Sequence, residues 1–213
     1  MSISWPSLSD EQIENSATKF RLEALAALEL EHSVEIPVEQ IAELHLGYQL
    51  DFVDGIDGYP DDVIGGIDFD SKTILVNSSI ESHLGRYSFT IAHEIGHHVL
   101  HKEKFYKQSK SESIMCRGGA QRPIEELQAD RFAEALLMPK ELIDNHYKKI
   151  TKKRRFKVSN RYALAAEIIK SSGLSNVSVS AMVVRLNHLG LTDKNSRLKK
   201  YLKFFKSLYQ STK

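Results

Sequence analysis

The amino-acid sequence predicts an α+β fold with a small β-sheet, a helix that contains an H-E-x-x-H pattern, and a helical C-terminal region. Short runs that alternate or are rich in β-branched residues lie between residues 48 and 77, as is typical of strands. Most other segments repeat apolar residues at a spacing of three or four, as is typical of helices. The segment 86–101, RYSFTIAHEIGHHVLH, combines such a stripe with the H-E-x-x-H pattern. The pattern therefore falls on a helix with one buried face.

The length and composition are those of an ordinary globular protein. The 213 residues can form one sizeable domain, or one domain with a small appendage, and 41% of them are apolar. The single cysteine, Cys116, excludes a disulfide within the chain and favours a reducing compartment. The N-terminal residues lack the regions of a secretion signal, and no apolar run approaches the ~18 residues of a membrane span. We therefore expect a cytoplasmic protein.

The charged residues are distributed unevenly, although the net charge is only +1. Residues 1–98 contain 18 acidic and 4 basic residues, whereas residues 99–213 contain 10 acidic and 25 basic residues. The simpler interpretation is attraction between the two halves of one molecule. The alternative is that the basic half contacts nucleic acid or an acidic partner, which charge asymmetry alone does not identify.

The first half of the chain is predicted to contain two helices and three strands. Ser9 is a suitable N-cap for the first helix, with Gln12 in the capping-box position. Gly47 is a suitable stop for the second helix, and the last two strands should form a hairpin. The predicted helices cover residues 10–31 and 39–46, and the predicted strands cover residues 48–53, 63–68 and 73–76.

The second half is predicted to be helical apart from a polar excursion at residues 102–122, which is a candidate lid. Pro123 suits the first turn of the helix that follows the excursion. Ser178 or Ser180 is a suitable N-cap for a later helix, and Gly190 is a suitable stop for it. The predicted helices cover residues 123–138, 139–149, 161–170, 178–189 and 194–213.

The H-E-x-x-H pattern predicts a metal site. Residues four apart lie on the same face of a helix, so the imidazoles of His93 and His97 can bind one ion. Glu94 lies beside them, where its carboxylate could accept a proton from water that the ion activates. Because a catalytic zinc usually has three protein ligands, we predict one zinc ion per chain and a third ligand elsewhere. Glu126 is the best candidate, with Glu125 as its rival.

Three further residues have predicted places around this site. Asp130 lies four residues after Glu126 and could accept the outer ring N–H of a ligating histidine. His101 continues the histidine stripe, but about 12 Å of helix rise separates it from His93, so we expect it to be packed or hydrogen-bonded. Cys116 could block the open metal position as a thiolate, although a bystander thiol is far more common.

Stabilising a tetrahedral intermediate usually requires a hydrogen-bond donor besides the metal. Four residues are candidates, and the pattern of the sequence does not choose among them. They are Tyr106, His146, Tyr147 and His188.

Two long segments together resemble the ImmA/IrrE family of bacterial metallopeptidases. They are HEIGHHVLH at residues 93–101 and EELQADRFAEALLMP at residues 125–139. The similarity extends upstream to IDFDSKTILVN at residues 67–77 and downstream to VSVSAMVVRLNHLGL at residues 177–191. It covers roughly residues 36–192, about three quarters of the chain.

The resemblance implies a zincin-like fold in which His93, His97 and Glu126 bind zinc and Glu94 is the catalytic acid–base. The E-x-x-A-D register of the family favours Glu126 over its rival, because it places Asp130 one turn later; the family often has Asn there. We accordingly predict three parts: an N-terminal helical segment, a zincin-like metallopeptidase domain and a basic helical C-terminal region. These cover residues 1–35, 36–147 and 148–213.

The resemblance also implies a partner. Members of the family cleave helix-turn-helix repressors that are often encoded next door on mobile elements, and this chain is similar to the short, mobile-element type. We therefore expect a site-specific endopeptidase whose protein substrate is such a repressor. The first alternative is a toxin-type peptidase that a cognate antitoxin neutralises. The second is a regulator that binds DNA or protein and whose metal site is mainly structural.

Two basic stretches bear on the second alternative. Residues 148–161 contain eight basic residues and no acidic one, and residues 194–213 add seven. Direct DNA contact is one interpretation, because the two helices between the stretches could form a helix-turn-helix. A solvated face or a docking surface for a repressor is the favoured interpretation. No membrane partner is expected.

Overall fold

The computed structural model describes residues 7–55, 63–108, 114–117, 123–153 and 160–192 and confirms the α+β prediction. Seven α-helices and one four-stranded sheet are present in these ranges. The helices are α1 (Asp10–Ala27), α2 (Val38–Gln40), α3 (Leu84–Gln108), α4 (Ile124–Leu137), α5 (Lys140–Lys153), α6 (Arg161–Ser172) and α7 (Val179–His188). The strands are β1 (Gln49–Val53), β2 (Gly65–Asp68), β3 (Thr73–Asn77) and β4 (Ile114–Arg117). A π-helical turn (Ile41–His45) continues α2, and a 3-10 turn (Ser78–Ile80) follows β3.

The sheet has the strand order β1-β3-β2-β4. The predicted hairpin is present, since β2 and β3 are antiparallel and Ile67 pairs with Ile74. A carboxylate oxygen of Asp68 accepts the backbone N–H groups of Asp70 and Ser71, which closes the turn between these strands. β1 pairs with β3 in the parallel sense, and β4 pairs with β2 in the antiparallel sense. β4 therefore extends the sheet on the side of β2.

The first helix begins as predicted and ends earlier. The side chains of Ser9 and Gln12 form a capping box at its start. The predicted end at residue 31 is wrong, because α1 stops at Ala27 and Glu29 adopts a left-handed conformation with φ 58°. The N–H of Leu30 then returns to the carbonyl of Leu25 at 2.8 Å, which is the Schellman arrangement that terminates helices.

The polar excursion predicted at residues 102–122 is wrong in part. α3 continues to Gln108, because buried Phe105 extends its apolar face against Phe69 at the end of β2, with ring centroids 4.9 Å apart. The segment Ile114–Arg117 is a strand of the sheet. Three apolar residues followed by an arginine are too few to show a strand by alternation, and their partner β2 lies far away in sequence.

The site is positioned by close packing of α3 on α4. Gly96 allows this approach, because a Cβ atom there would lie 3.2 Å from the backbone of Ala129 and 3.2 Å from Cβ of Phe132. A larger residue at this position would push the two helices apart. Gly96 is one of the two unspecified residues of the H-E-x-x-H pattern, so its role is packing.

The C-terminal helices follow the prediction closely. The side chain of Ser178, rather than Ser180, caps α7 by accepting the N–H of Ala181 at 3.1 Å. One apolar cluster contains residues of α1, α3, α4, α6 and α7, so the three predicted parts pack together; their division stays a prediction. The helix predicted at residues 194–213 lies outside the described residues. Within the described ranges, no helix combines the length and apolarity that crossing a membrane requires.

Candidate metal centre

Three predicted ligands meet between α3 and α4. The Nε2 atoms of His93 and His97 are 3.0 Å apart. The carboxylate of Glu126 reaches both, with one oxygen 3.2 Å from Nε2 of His93 and the other 3.1 Å from Nε2 of His97. All three residues are buried, and the group could hold a metal ion. It is Glu126 and not Glu125 that contacts both imidazoles.

The outer nitrogen of His93 is fixed by Asp130. Its Nδ1 atom lies 2.9 Å from a carboxylate oxygen of Asp130 on α4. A carboxylate accepts hydrogen bonds, so Nδ1 carries the proton and Nε2 presents its lone pair to the centre. The contact matches the place predicted for Asp130.

The outer nitrogen of His97 is fixed by two residues in series. Nδ1 of His97 lies 3.0 Å from Nδ1 of His101, whose Nε2 lies 3.0 Å from the amide oxygen of Gln128. An amide oxygen only accepts, so His101 donates through Nε2 and accepts through Nδ1. His97 must then donate through Nδ1 and present its Nε2 lone pair to the centre. The prediction that His101 is buried and hydrogen-bonded is confirmed.

The protonation states suit a cation. Burial lowers the pKa of the His97 imidazole, and burial together with the neighbouring His97 lowers the pKa of His101 to about 4. Burial raises the pKa of the Glu126 carboxyl, but the adjacent imidazoles of His93 and His97 outweigh this effect and leave the pKa well below its usual range. These shifts favour a neutral His97 imidazole and an ionised Glu126 carboxylate, the states in which these groups bind metals.

This donor set fits a divalent ion. Two nitrogen lone pairs and a carboxylate face one another at 3.0–3.2 Å. Ligand atoms around tetrahedral zinc are about 3.3 Å apart, given metal–nitrogen distances of about 2.0–2.1 Å. Converging acceptors of this kind repel one another unless a cation or proton lies between them.

Glu94 lies on the sheet side of the site and is fully buried. At Gly65 in β2, a Cβ atom would lie 3.1 Å from a carboxylate oxygen of Glu94 and only 2.4 Å from Cγ2 of Thr90. The backbone of β2 thus passes directly beside Glu94 because residue 65 has no side chain. The sheet thereby delimits the space around the predicted acid–base.

The comparison with protein families agrees with this geometry. Residues 52–170 match the family model described as the IrrE N-terminal-like domain, which is more than half of the chain. The chain belongs to the IrrE N-terminal-like family. Membership confirms the resemblance and makes the zincin-type metallopeptidase class the coarse functional assignment. No curated protein matches the chain.

In this member of the IrrE N-terminal-like family, three of the four candidate donors make hydrogen bonds outside the ligand group. The Tyr106 hydroxyl donates to the carbonyl of Phe69 at 2.9 Å. His146 lies 2.9 Å from the hydroxyl of Ser171, and His188 lies 2.6 Å from the carboxylate of Glu134. Tyr147 packs against the core. A catalytic role for any of them stays a prediction.

Sequence reasoning missed Gln128 and Gly65. Gln128 lies two residues after Glu126, and its contact with His101 depends on how α3 and α4 cross. The available signal was a polar residue one turn before Phe132 and two turns before Ala135. Gly65 stands in the pair Gly65-Gly66 inside a predicted strand, and glycine in a strand interior often marks a close backbone approach. The side chain of Cys116 lies outside what the structure describes.

Proposed function

We propose that this protein is a zinc-dependent endopeptidase that cleaves a helix-turn-helix transcriptional repressor at a small number of bonds. The observation that carries the proposal is the buried group of His93, His97 and Glu126 with Glu94 beside it on α3. Three protein ligands with a neighbouring carboxylate are typical of catalytic zinc sites in peptidases. Membership of a metallopeptidase family supports the same class of reaction.

Each residue has a distinct role in the proposed reaction. His93, His97 and Glu126 would hold the zinc, which when bound would polarise the peptide carbonyl and activate water. Glu94 takes the proton of the attacking water and delivers it to the leaving amine. Asp130 and His101 keep the two imidazoles in the tautomer that binds metal. Burial of this group limits hydrolysis to a chain segment that fits between the sheet and the helices.

The proposed substrate rests on the resemblance to ImmA/IrrE peptidases. A repressor encoded beside the gene for this protein is the first substrate to test. Incubation of that repressor with the zinc-loaded protein should give a few defined fragments in mass spectrometry. A restricted set of cuts supports the proposal, whereas an intact repressor contradicts the substrate assignment.

The matched variants are Glu94→Gln and His93→Ala. Glu94→Gln should retain about one zinc per chain and lose cleavage by about 10²–10⁴-fold, since only the acid–base is removed. His93→Ala should lose both zinc and cleavage. A folded wild-type protein that binds no zinc would contradict the hydrolase proposal.

A regulator with a mainly structural metal site is the second candidate. The observation that favours it is the complete burial of His93, Glu94 and His97, because structural sites are closed whereas catalytic sites keep an open position. This candidate requires the Glu94→Gln variant to keep full biological effect. If the protein binds DNA, its affinity should fall steeply with salt concentration.

A toxin-type peptidase differs from the first proposal only in its target. An antitoxin would then form a stable complex with the protein and suppress cleavage. Growth arrest on expression of the wild type, but not of Glu94→Gln, would favour this target over a repressor.

A further inference from the structure

A cleft of about 480 Å³ adjoins the metal centre and separates it from α7. Four apolar side chains line it. Ile64 comes from the sheet side, Phe89 from α3, and Ala181 and Val184 from α7. Val184 is 43% exposed, so α7 presents an apolar side chain to solvent at this cleft. The cleft is therefore a concave apolar surface that solvent can reach.

Three of the residues that line the cleft are neighbours of residues in the candidate metal site. Phe89 lies one turn before His93 on α3. Ile64 precedes Gly65, whose backbone lies beside Glu94. Asp130, whose carboxylate is bound to Nδ1 of His93, lines the cleft itself. The cleft therefore borders the residues that surround the metal centre.

The two carboxylates that line the cleft are paired with histidine or arginine side chains of the protein. Asp130 is paired with His93. Glu134 lies 2.6 Å from Nδ1 of His188 and 3.6 Å from the guanidinium of Arg131. Arg86 adds a positive charge to the lining. This balance does not favour a basic side chain as the occupant, whereas the apolar walls favour an aliphatic or aromatic one.

We propose that the cleft between Phe89 and Val184 is a specificity subsite that binds an apolar side chain, of the size of leucine, methionine or phenylalanine, next to the bond that is cut. This inference rests on the proposed peptidase function and adds the chemistry of the residue that the site selects. Burial of one such side chain gives a preference of about 10–200-fold, enough to dominate the local choice of residue. The two walls from α7 would make this C-terminal helix part of substrate selection.

The first test uses cleavage of a peptide library prepared from a digested bacterial proteome. The zinc-loaded wild type should select Leu, Ile, Met or Phe at one position beside the cut. Ala181→Trp fills the cleft, so this preference should shift to Gly, Ala and Ser, with kcat/KM for the apolar peptides about 10–200-fold lower. Lys170→Trp, which adds the same ring on an exposed part of α6, is the matched control and should behave as wild type.

The second test does not depend on cleavage. N-acetyl-leucinamide should perturb the NMR signals of the Val184 and Ala181 methyl groups in zinc-loaded Glu94→Gln, and N-acetyl-aspartamide should not. Melting temperatures of the variants check that each is folded. If Ala181→Trp misfolds, Val184→Glu offers a smaller change that should also weaken the apolar preference.

The outcomes separate the two proposals. Cleavage by the wild type with the same preference in Ala181→Trp and Lys170→Trp overturns the subsite and leaves the peptidase function. Absence of any cleavage, together with binding of the leucine probe, overturns the peptidase function and leaves an apolar ligand site. A change of oligomeric state in Val184→Glu, without a change of preference, means that a second copy covers the cleft and overturns the subsite.

Discussion

His97 and His101 lie one turn apart on α3 with their Nδ1 atoms 3.0 Å apart, and Gln128 accepts from the far side of His101. His97 is thus held by a neutral imidazole, whereas His93 is held by the carboxylate of Asp130. The two candidate metal-binding histidines therefore have outer partners of different charge. The carboxylate makes His93 the more electron-rich ligand.

The partner of His97 should determine metal affinity. We expect His101→Ala and Gln128→Leu to weaken zinc binding by about 10–100-fold, because His97 loses its fixed tautomer. Competition with a chromogenic chelator measures the affinity. His98→Ala is the matched control, since His98 lies on the same helix but is hydrogen-bonded to the hydroxyl of Tyr48. Equal zinc affinities in His101→Ala and His98→Ala would show that the hydrogen bonds from His97 through His101 to Gln128 do not affect metal binding.

Zinc affinity should depend less on the charge of Asp130 than on its ability to accept a hydrogen bond from His93. Asp130→Asn keeps an oxygen that accepts from Nδ1, so zinc affinity should fall less than about 10-fold. Asp130→Ala removes the acceptor, and the affinity should fall by about 10–100-fold. The same chelator titration compares both variants with wild type. A larger loss in Asp130→Asn than in Asp130→Ala would contradict the assigned hydrogen bond.

Gly65 should be sensitive to a single methyl group. Gly65→Ala would place Cβ 2.4 Å from Cγ2 of Thr90, so β2 or α3 must move. We expect a loss of about 1–3 kcal/mol in the free energy of unfolding, which is usual for overpacking. Denaturant titration measures this loss.

A second substitution tests the cause of that loss. Thr90→Ser removes Cγ2 and should restore much of the stability in the double variant with Gly65→Ala. If the losses in the two single variants simply add, the predicted contact is not the source of the destabilisation.

Glu134 should make stability depend on pH. Burial, only partly offset by Arg131 and Arg185, raises the pKa of its carboxyl from 4.5 to about 7. The folded state therefore binds this proton more tightly than the unfolded state does. The contribution of neutral Glu134 is complete below pH 4.5 and is lost as pH rises to about 7.

Glu134→Gln removes this dependence while keeping an acceptor for His188. The free energy of unfolding of the variant relative to wild type should rise by on the order of 3 kcal/mol between pH 4.5 and pH 8. Urea titrations in excess chelator measure both proteins without metal. A difference that stays constant over this pH range would show that Glu134 has an ordinary pKa in the folded protein.

The placement of the candidate ligands could be predicted because it depends on spacing within helices. His93 and His97 are four apart, as are Glu126 and Asp130, and helical geometry alone places each pair on one face. The hairpin of β2 and β3 was equally accessible, because adjacent strands and a short turn determine it. These features need no knowledge of how distant segments meet.

The remaining features depend on tertiary contacts. The bond from His101 to Gln128 is set by the crossing of α3 and α4. β4 exists because it pairs with β2, and its own four residues indicate no strand. The cleft has walls from the sheet, α3, α4 and α7, so no single stretch of sequence contains it.

Glu126, Asp130 and Glu134 recur every fourth residue and form a column of carboxylates along α4. The first contacts both ligating histidines, the second contacts the outer nitrogen of His93, and the third contacts His188 at the end of α7. One residue of slippage would rotate the whole column by about 100° and break the three contacts together. The helical phase of α4 thus couples the candidate metal ligands to the C-terminal helix. An insertion or deletion within α4 would be far more damaging than one in the connections that flank it.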